Sequence, residues 1–206
     1  MLASYINGVN FKGHRHFEGK IPSVFKIQDF IERAWDHGIN SAGRLETGGI
    51  KGTRKYIGTP EALAMFRVLE IPCDAQGFKH REPGKSESLL LEEVETYFQS
   101  GVQDPTQRVR LTHLPPIYFQ HAGHSMTIIG LEKSKTGAKN LLVFDPMFKD
   151  PSNILKLVGR VNPQKLENGV KLVGDADAAL KPYRRGNKYL KRYPQFEVLR
   201  FVLAHT

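Results

Sequence analysis

Residues 116–146 read PIYFQHAGHSMTIIGLEKSKTGAKNLLVFDP. Two apolar runs, 125–131 and 141–144, are joined by a polar connection that contains a glycine. Val, Ile, Phe and Thr dominate both runs, and turn residues bound them, which predicts a pair of antiparallel strands. Gln120, His121, His124 and Asp145 lie at the ends of those strands. An imidazole at the head of one strand meets a carboxylate at the tail of its neighbour side by side. A general base and its orienter are built that way, with the carboxylate fixing the ring's tautomer. His124 follows Gly123, which gives close backbone access, and Gln120 carries an amide N–H able to face a developing oxyanion. The plainer reading, a packed and hydrogen-bonded histidine beside an apolar strand, stands against this. The stretch holds no nucleophile.

Two other chemistries compete for these residue types. His121 and His124 form H-x-x-H, with Asp145 as a third possible ligand. That spacing suits a helix better than a strand end, no fourth ligand presents itself, and two such rings on a strand are expected on opposite faces. Metal is the weaker reading, and no cofactor is expected. Cys73 is the only thiol of the chain. It follows Ile71-Pro72 in a predicted buried strand, with Asp74 beside it to disfavour the thiolate, so a structural role is expected.

At 206 residues the chain is long enough for one domain with a substantial core. No apolar run approaches the roughly 20 residues that span a bilayer, so no membrane partner is expected. The single cysteine excludes an internal disulfide framework and a cysteine-based zinc site. The default compartment is reducing, cytoplasm or nucleus or both. Six of the basic residues behind the net charge of +9 fall in 181–192, KPYRRGNKYLKR, where no acid occurs. This run is read as a solvated basic connection rather than a nucleic-acid surface.

In chain order, 1–6 reads as a short helix without an N-cap, the tail of a helix whose beginning is absent. Residues 9–19 form a polar loop with His14 and His16 at the surface. Ser23 caps a helix over 24–37, with Val24, Ile27, Phe30, Ile31, Ala34 and Trp35 on one stripe. The glycine-rich 38–58 matches no phosphate-binding pattern and is expected to be a mobile loop shaping a cleft. Thr59-Pro60-Glu61 opens a helix to about 69, 71–78 is a strand, and Ser86 or Ser88 opens a helix ending at Gly101. Short helices are expected near 153–158 and 175–180, and 195–203 closes the sheet. Helices first and an antiparallel sheet afterwards argue for an α+β fold.

IPSVFKIQDFIERAW, GTRKYIG with Glu61 behind it, and above all PIYFQHAGHSMTIIGLE followed by LLVFDP resemble the ubiquitin-fold-modifier-specific protease superfamily. The likeness is strongest to its ZUFSP-type deubiquitinases and fungal relatives, and extends to about Pro146. It implies a papain-like cysteine protease fold, helices packed on a mostly antiparallel sheet. It also implies cleavage after the C-terminal glycine of ubiquitin or a ubiquitin-like modifier in its conjugates. It makes His124 the general base, Asp145 its orienter and Gln120 an oxyanion donor, with Tyr56 and Glu61 contacting the modifier. The modifier-specific branch has Asp-Pro-His where this chain has Asp145-Pro146-Met147, which favours ubiquitin as substrate. Asn40 stands where an acid is frequent. The family's cysteine lies in a segment like G-x-C-G-Y-R-N-x-Q-M-L, and this chain begins at what resembles its Met-Leu. The expectation is therefore a single catalytic domain over 1–206, monomeric, truncated ahead of its nucleophile and inactive as it stands. The alternative is a catalytically dead module that binds ubiquitin-like proteins.

Overall fold

The computed structural model describes residues 1–8, 14–17, 19–152, 154–155 and 176–202. Six strands form one antiparallel sheet: β1 Cys73–Lys79, β2 Ile117–His121, β3 His124–Lys133, β4 Lys139–Phe144, β5 Arg184–Gly186 and β6 Gln195–Phe201. Their order across the sheet is β1-β6-β2-β3-β4-β5. Five longer or leading helices precede or interrupt it: α1 Leu2–Gly8, α2 Val24–Asp36, α3 Ser41–Thr47, α4 Thr59–Val68 and α5 Lys85–Ser100. This is the expected α+β arrangement. The paired runs are β3 and β4, while Ile117–His121 is an additional strand that pairs with both β3 and β6. The short helix expected near 153–158 lies for the most part outside the described residues, as do 9–13 of the expected polar loop. The one near 175–180 is Ala176–Leu180.

Alternation along β2 sorts the molecule into layers. Ile117, Phe119 and His121 are buried on one face. There Phe119 joins Met126, Ile128, Leu141, Val143, Phe196 and Val198 beneath Leu90, Leu91, Val94 and Phe98 of α5. On the other face, Leu199 and Phe201 meet Leu2 and Ile6 of α1, Phe30, Ile31 and Trp35 of α2, and Met65 and Phe66 of α4. Tyr118 packs against that second core. Helices on both faces explain why β2 lacks a solvated side.

The Ser23 hydroxyl accepts from the Lys26 N–H and caps α2, whose stripe is buried as expected from Phe30 onward. Val24 is instead exposed. The glycine-rich segment differs from the loose loop expected of it. It contains α3, and α2 ties down residues 50–53: the Glu32 carboxylate accepts from the Ile50 N–H at 2.6 Å. Gln28 in turn bonds both Gly52 and Thr53. Two polar side chains on the helix thus stand in for the backbone partners that a strand would have supplied. His16, expected at the surface, has its Nε2 buried.

Candidate active site

Residues 121–124 form the turn of the β2–β3 hairpin. Gly123 has φ of 76°, the left-handed conformation that glycine adopts without a Cβ penalty. The last paired residues on either side are His121 and His124. Directly opposed residues share a face, so the two rings lie together, with centroids 5.7 Å apart. The expectation of opposite faces fails because the chain reverses between them. Beyond the last β3–β4 pair, Thr127 with Phe144, Asp145 comes level with Met126 on that same face. The His124 Nε2–H donates to Asp145 Oδ1 at 2.8 Å.

A carboxylate only accepts, so Nε2 is the protonated nitrogen and Nδ1 keeps its lone pair. No hydrogen-bond partner meets Nδ1 among the described residues. Asp145 Oδ1 also accepts from the Met147 N–H at 3.0 Å, and Oδ2 accepts from Arg185 Nη2 at 2.7 Å. Burial pushes the Asp145 carboxyl up. The Met147 N–H, Arg185 and His124 together outweigh that and hold it below its ordinary value. The group is an anion at neutral pH, aimed at the ring.

His121 is satisfied differently. Its Nδ1–H faces the Ala122 carbonyl at 3.2 Å, so Nε2 accepts from the Tyr189 hydroxyl at 2.6 Å. Its ring stacks on Tyr193, centroids 3.6 Å apart. With these nitrogens engaged, no group of three His, Cys, Asp or Glu able to hold a metal occurs among the described residues. Burial is the main reason that His121 is held below its ordinary value. The Ala122 carbonyl works the other way, and His124, Arg192 and Arg185 reinforce the burial.

This fixes a sign for the pH dependence of stability. The unfolded ring takes up its proton near pH 6.5 and the folded ring only below that, so acid favours the unfolded chain. His16, also lowered mainly by burial, acts in the same direction. Stability is therefore expected to fall as pH drops through 6.5. The Asp145 contribution persists until the pH falls below 3.8 toward its folded value. Urea midpoints at pH 7.5 and 5.5 measure the first window. His121→Gln should shrink the difference, leaving the shares of His16 and of the Met1 amine, which burial also lowers.

The basic run 181–192 is solvated only in part: Lys181, Lys188, Lys191 and Arg192 are exposed, whereas Arg184 and Arg185 are half-buried and paired. Arg184 pairs with Glu132 at 2.7 Å and Asp177 at 2.6 Å. The side chains of Arg185 and Asp145 are each only 12% exposed. Arg185 also lies over the Tyr189 ring. Arg185, Tyr189 and Tyr193 thus form the wall behind the two histidines. Sequence reading missed all three; the signal available was tyrosine interleaved with the arginines.

The remaining expected residues fall elsewhere. Gln120 alternates onto the opposite face, where its Oε1 accepts from Tyr118 at 2.8 Å and Thr59 at 3.2 Å. Its hydrogen bonds go to these two residues rather than to His124 or Asp145, although its strand partner Ser125 adjoins His124. Its Nε2 lies so close to Gly58 that a Cβ there would stand 3.2 Å away. Glu61 is buried; its carboxylate accepts from the Gly58 N–H at 2.7 Å and from Asn40. Tyr56, just ahead of it, is 97% exposed.

Cys73 starts β1, with β6 and β2 between it and β3, a lateral separation of roughly 14 Å. Phe78, not Cys73, is level with the hairpin end, since Phe196 pairs with both Phe78 and His121. Burial, helped by Asp74 and opposed by Arg67, pushes its thiol up to about 11. It is neither near the dyad nor a thiolate at neutral pH.

Comparison with known proteins adds four findings. The model of Peptidase family C78 matches residues 1–199. Zinc finger-containing ubiquitin peptidase 1 from Mus musculus is 35% identical over 128 residues, covering 61% of this chain and 22% of that protein. Ubiquitin carboxyl-terminal hydrolase mug105 from Schizosaccharomyces pombe is 28% identical over 150 residues, 71% of this chain and 56% of that one. The chain thus spans about a fifth of the length of the mouse relative. A solved UfSP from C. elegans aligns over 91% of this chain and 26% of its own at 14% identity, with a TM-score of 0.47.

Proposed function

This chain belongs to Peptidase family C78, and from that premise we propose that it carries the base and orienter of a papain-like thiol peptidase. Its substrates are conjugates of ubiquitin or a ubiquitin-like modifier. One observation carries the reading: His124 is held through Nε2 by an ionised Asp145, with Nδ1 free to accept a proton. The nucleophile is a cysteine outside these 206 residues, taken to lie ahead of Met1, because Cys73 is remote and protonated.

In this reading His124 Nδ1 removes the thiol proton as sulfur attacks the carbonyl of the linkage. The imidazolium then protonates the leaving amine as the C–N bond breaks, giving a thioester and a free amine. Water, deprotonated by the same nitrogen, releases the modifier's carboxylate and restores the thiol. Gln120 Nε2 supplies a hydrogen bond to the oxyanion, its other end pinned by Tyr118 and Thr59. Tyr56 presents an exposed aromatic surface to the modifier, and Glu61 orders the turn that carries it. The compartment proposed is cytoplasm or nucleus.

A second reading is a ubiquitin-binding module without chemistry, favoured by the isolation of Cys73. The two separate cleanly. The 206-residue chain is expected neither to hydrolyse a ubiquitin–fluorophore adduct nor to react with a ubiquitin C-terminal electrophile. The gene product with its preceding residues should do both. Labelling of Cys73 would overturn the assignment of the nucleophile, and an inert longer protein that still binds ubiquitin would favour the module.

A further inference from the structure

The peptidase mechanism uses one oxygen of Asp145; the other is held by a residue to which that mechanism assigns no part. Arg185 is delivered by β5, whose pairing sets it opposite Leu141. From there Nη2 reaches Asp145 Oδ2 at 2.7 Å, and Nη1 donates to the carbonyls of Pro182 at 2.7 Å and Arg184 at 3.1 Å. The guanidinium carbon stands 5.0 Å from the centre of the Tyr189 ring. Its Nε is buried without a hydrogen-bond partner among the described residues. Burying an arginine whose donors are not all satisfied is a poor device for stability alone. It is, however, a good one for fixing direction, because a planar fork held on three sides cannot rotate.

A carboxylate at the end of a short side chain turns easily about its last torsion, which has broad, two-fold wells. Without Arg185, the partners of Asp145 would be His124 and the Met147 N–H, both on Oδ1. Oδ2 would be unheld, and the carboxylate would be free to exchange its oxygens or tilt out of the ring plane. Arg185 on one edge and His124 on the other leave a single orientation. We propose that Arg185 is a positioning residue that locks Asp145 so that Oδ1 faces His124 Nε2, and through it fixes the base tautomer. Its purpose rests on the peptidase reading, but the arrangement is testable without any activity.

The test is the ring nitrogens of His124, observed by long-range proton–nitrogen correlation in the 206-residue chain at pH 7.5. The unmodified chain should show a protonated Nε2 and an unprotonated Nδ1. In Arg185→Met the two signals should converge, by a change of about tenfold in tautomer ratio, the weight of one charge-assisted hydrogen bond. Arg185→Lys, which keeps charge but not the fork, should fall between. A folded Arg185→Met chain with unchanged His124 signals would overturn the proposal. Should that variant not fold, the unmodified chain decides. Arg185 Nη protons must exchange slowly and couple across the hydrogen bond to Asp145 Cγ; a freely rotating guanidinium would refute the lock. A positive result combined with an inert longer protein would sink the peptidase reading alone.

Discussion

Asp145→Asn, made in a longer gene product that carries the proposed cysteine, is expected to lower kcat for a ubiquitin–fluorophore adduct by ~10⁴. The carboxylate receives His124 Nε2–H and Met147 N–H on one oxygen and Arg185 on the other. An amide has one oxygen and one NH₂ to set against these donors. If its oxygen stays toward His124, the NH₂ confronts a buried guanidinium, donor against donor, with the cation left unpaired. The charge decides the matter, so the oxygen turns to Arg185 and the NH₂ meets Nε2. The ring can accept only by moving its proton to Nδ1, the nitrogen required as base. KM should change little, because no substrate contact is lost. Adding Arg185→Met frees the amide oxygen to return to His124. The double variant should therefore recover roughly tenfold over Asp145→Asn, a coupling that independent sites would not show. An Asp145→Asn enzyme within tenfold of the parent would refute the assignment of Asp145.

The contact between His124 and Asp145 was legible because the two lie 21 residues apart across consecutive strands, where alternation and short connections constrain both ends. The third strand of the same sheet was not. IYFQH buries Ile117 and Phe119 against α5 but also covers Tyr118 against the helices of the opposite face. A strand sandwiched on both sides shows no apolar–polar alternation to read. β5 is harder still, since Arg184, Arg185 and Gly186 have no strand propensity and become a strand only by pairing with 140–142. The arginines misled for a related reason. Two of their acidic partners, Glu132 and Asp145, lie 52 and 40 residues away, and only Asp177, 7 residues from Arg184, is near in the chain, so a local reading meets mostly uncompensated charge. Glu32 and Gln28 likewise look like the solvent face of α2 until 50–53 folds back onto them. Long-range polar partners leave no period in the sequence, whereas apolar packing does.

Phe119→Ala carries the other large expectation, a loss of about 3–5 kcal/mol of stability. For a chain of this size that corresponds to a fall of roughly 10 °C or more in Tm. Phe119 has no exposed surface, stacks on Phe196 at 5.9 Å and meets the edge of His121 at 6.0 Å. It occupies β2, between the strand carrying His124 and the strand pairing with β1. Neither neighbour can close the gap without breaking a ladder, so the cavity stays largely open and the penalty falls near the upper end. Phe119→Leu, which keeps most of the volume, should cost less than half as much. The two variants also separate stability from the site, because His121 leans on this ring while His124 is fixed independently by Asp145. With the leucine variant the His124 tautomer should be unchanged below Tm, whereas the His121 stacking on Tyr193 should loosen. Denaturant midpoints give the first result and the ring signals of the two histidines the second. Equal destabilisation by both substitutions, or movement of His124 before His121, would mean that β2 does not serve as the platform from which the hairpin end is held.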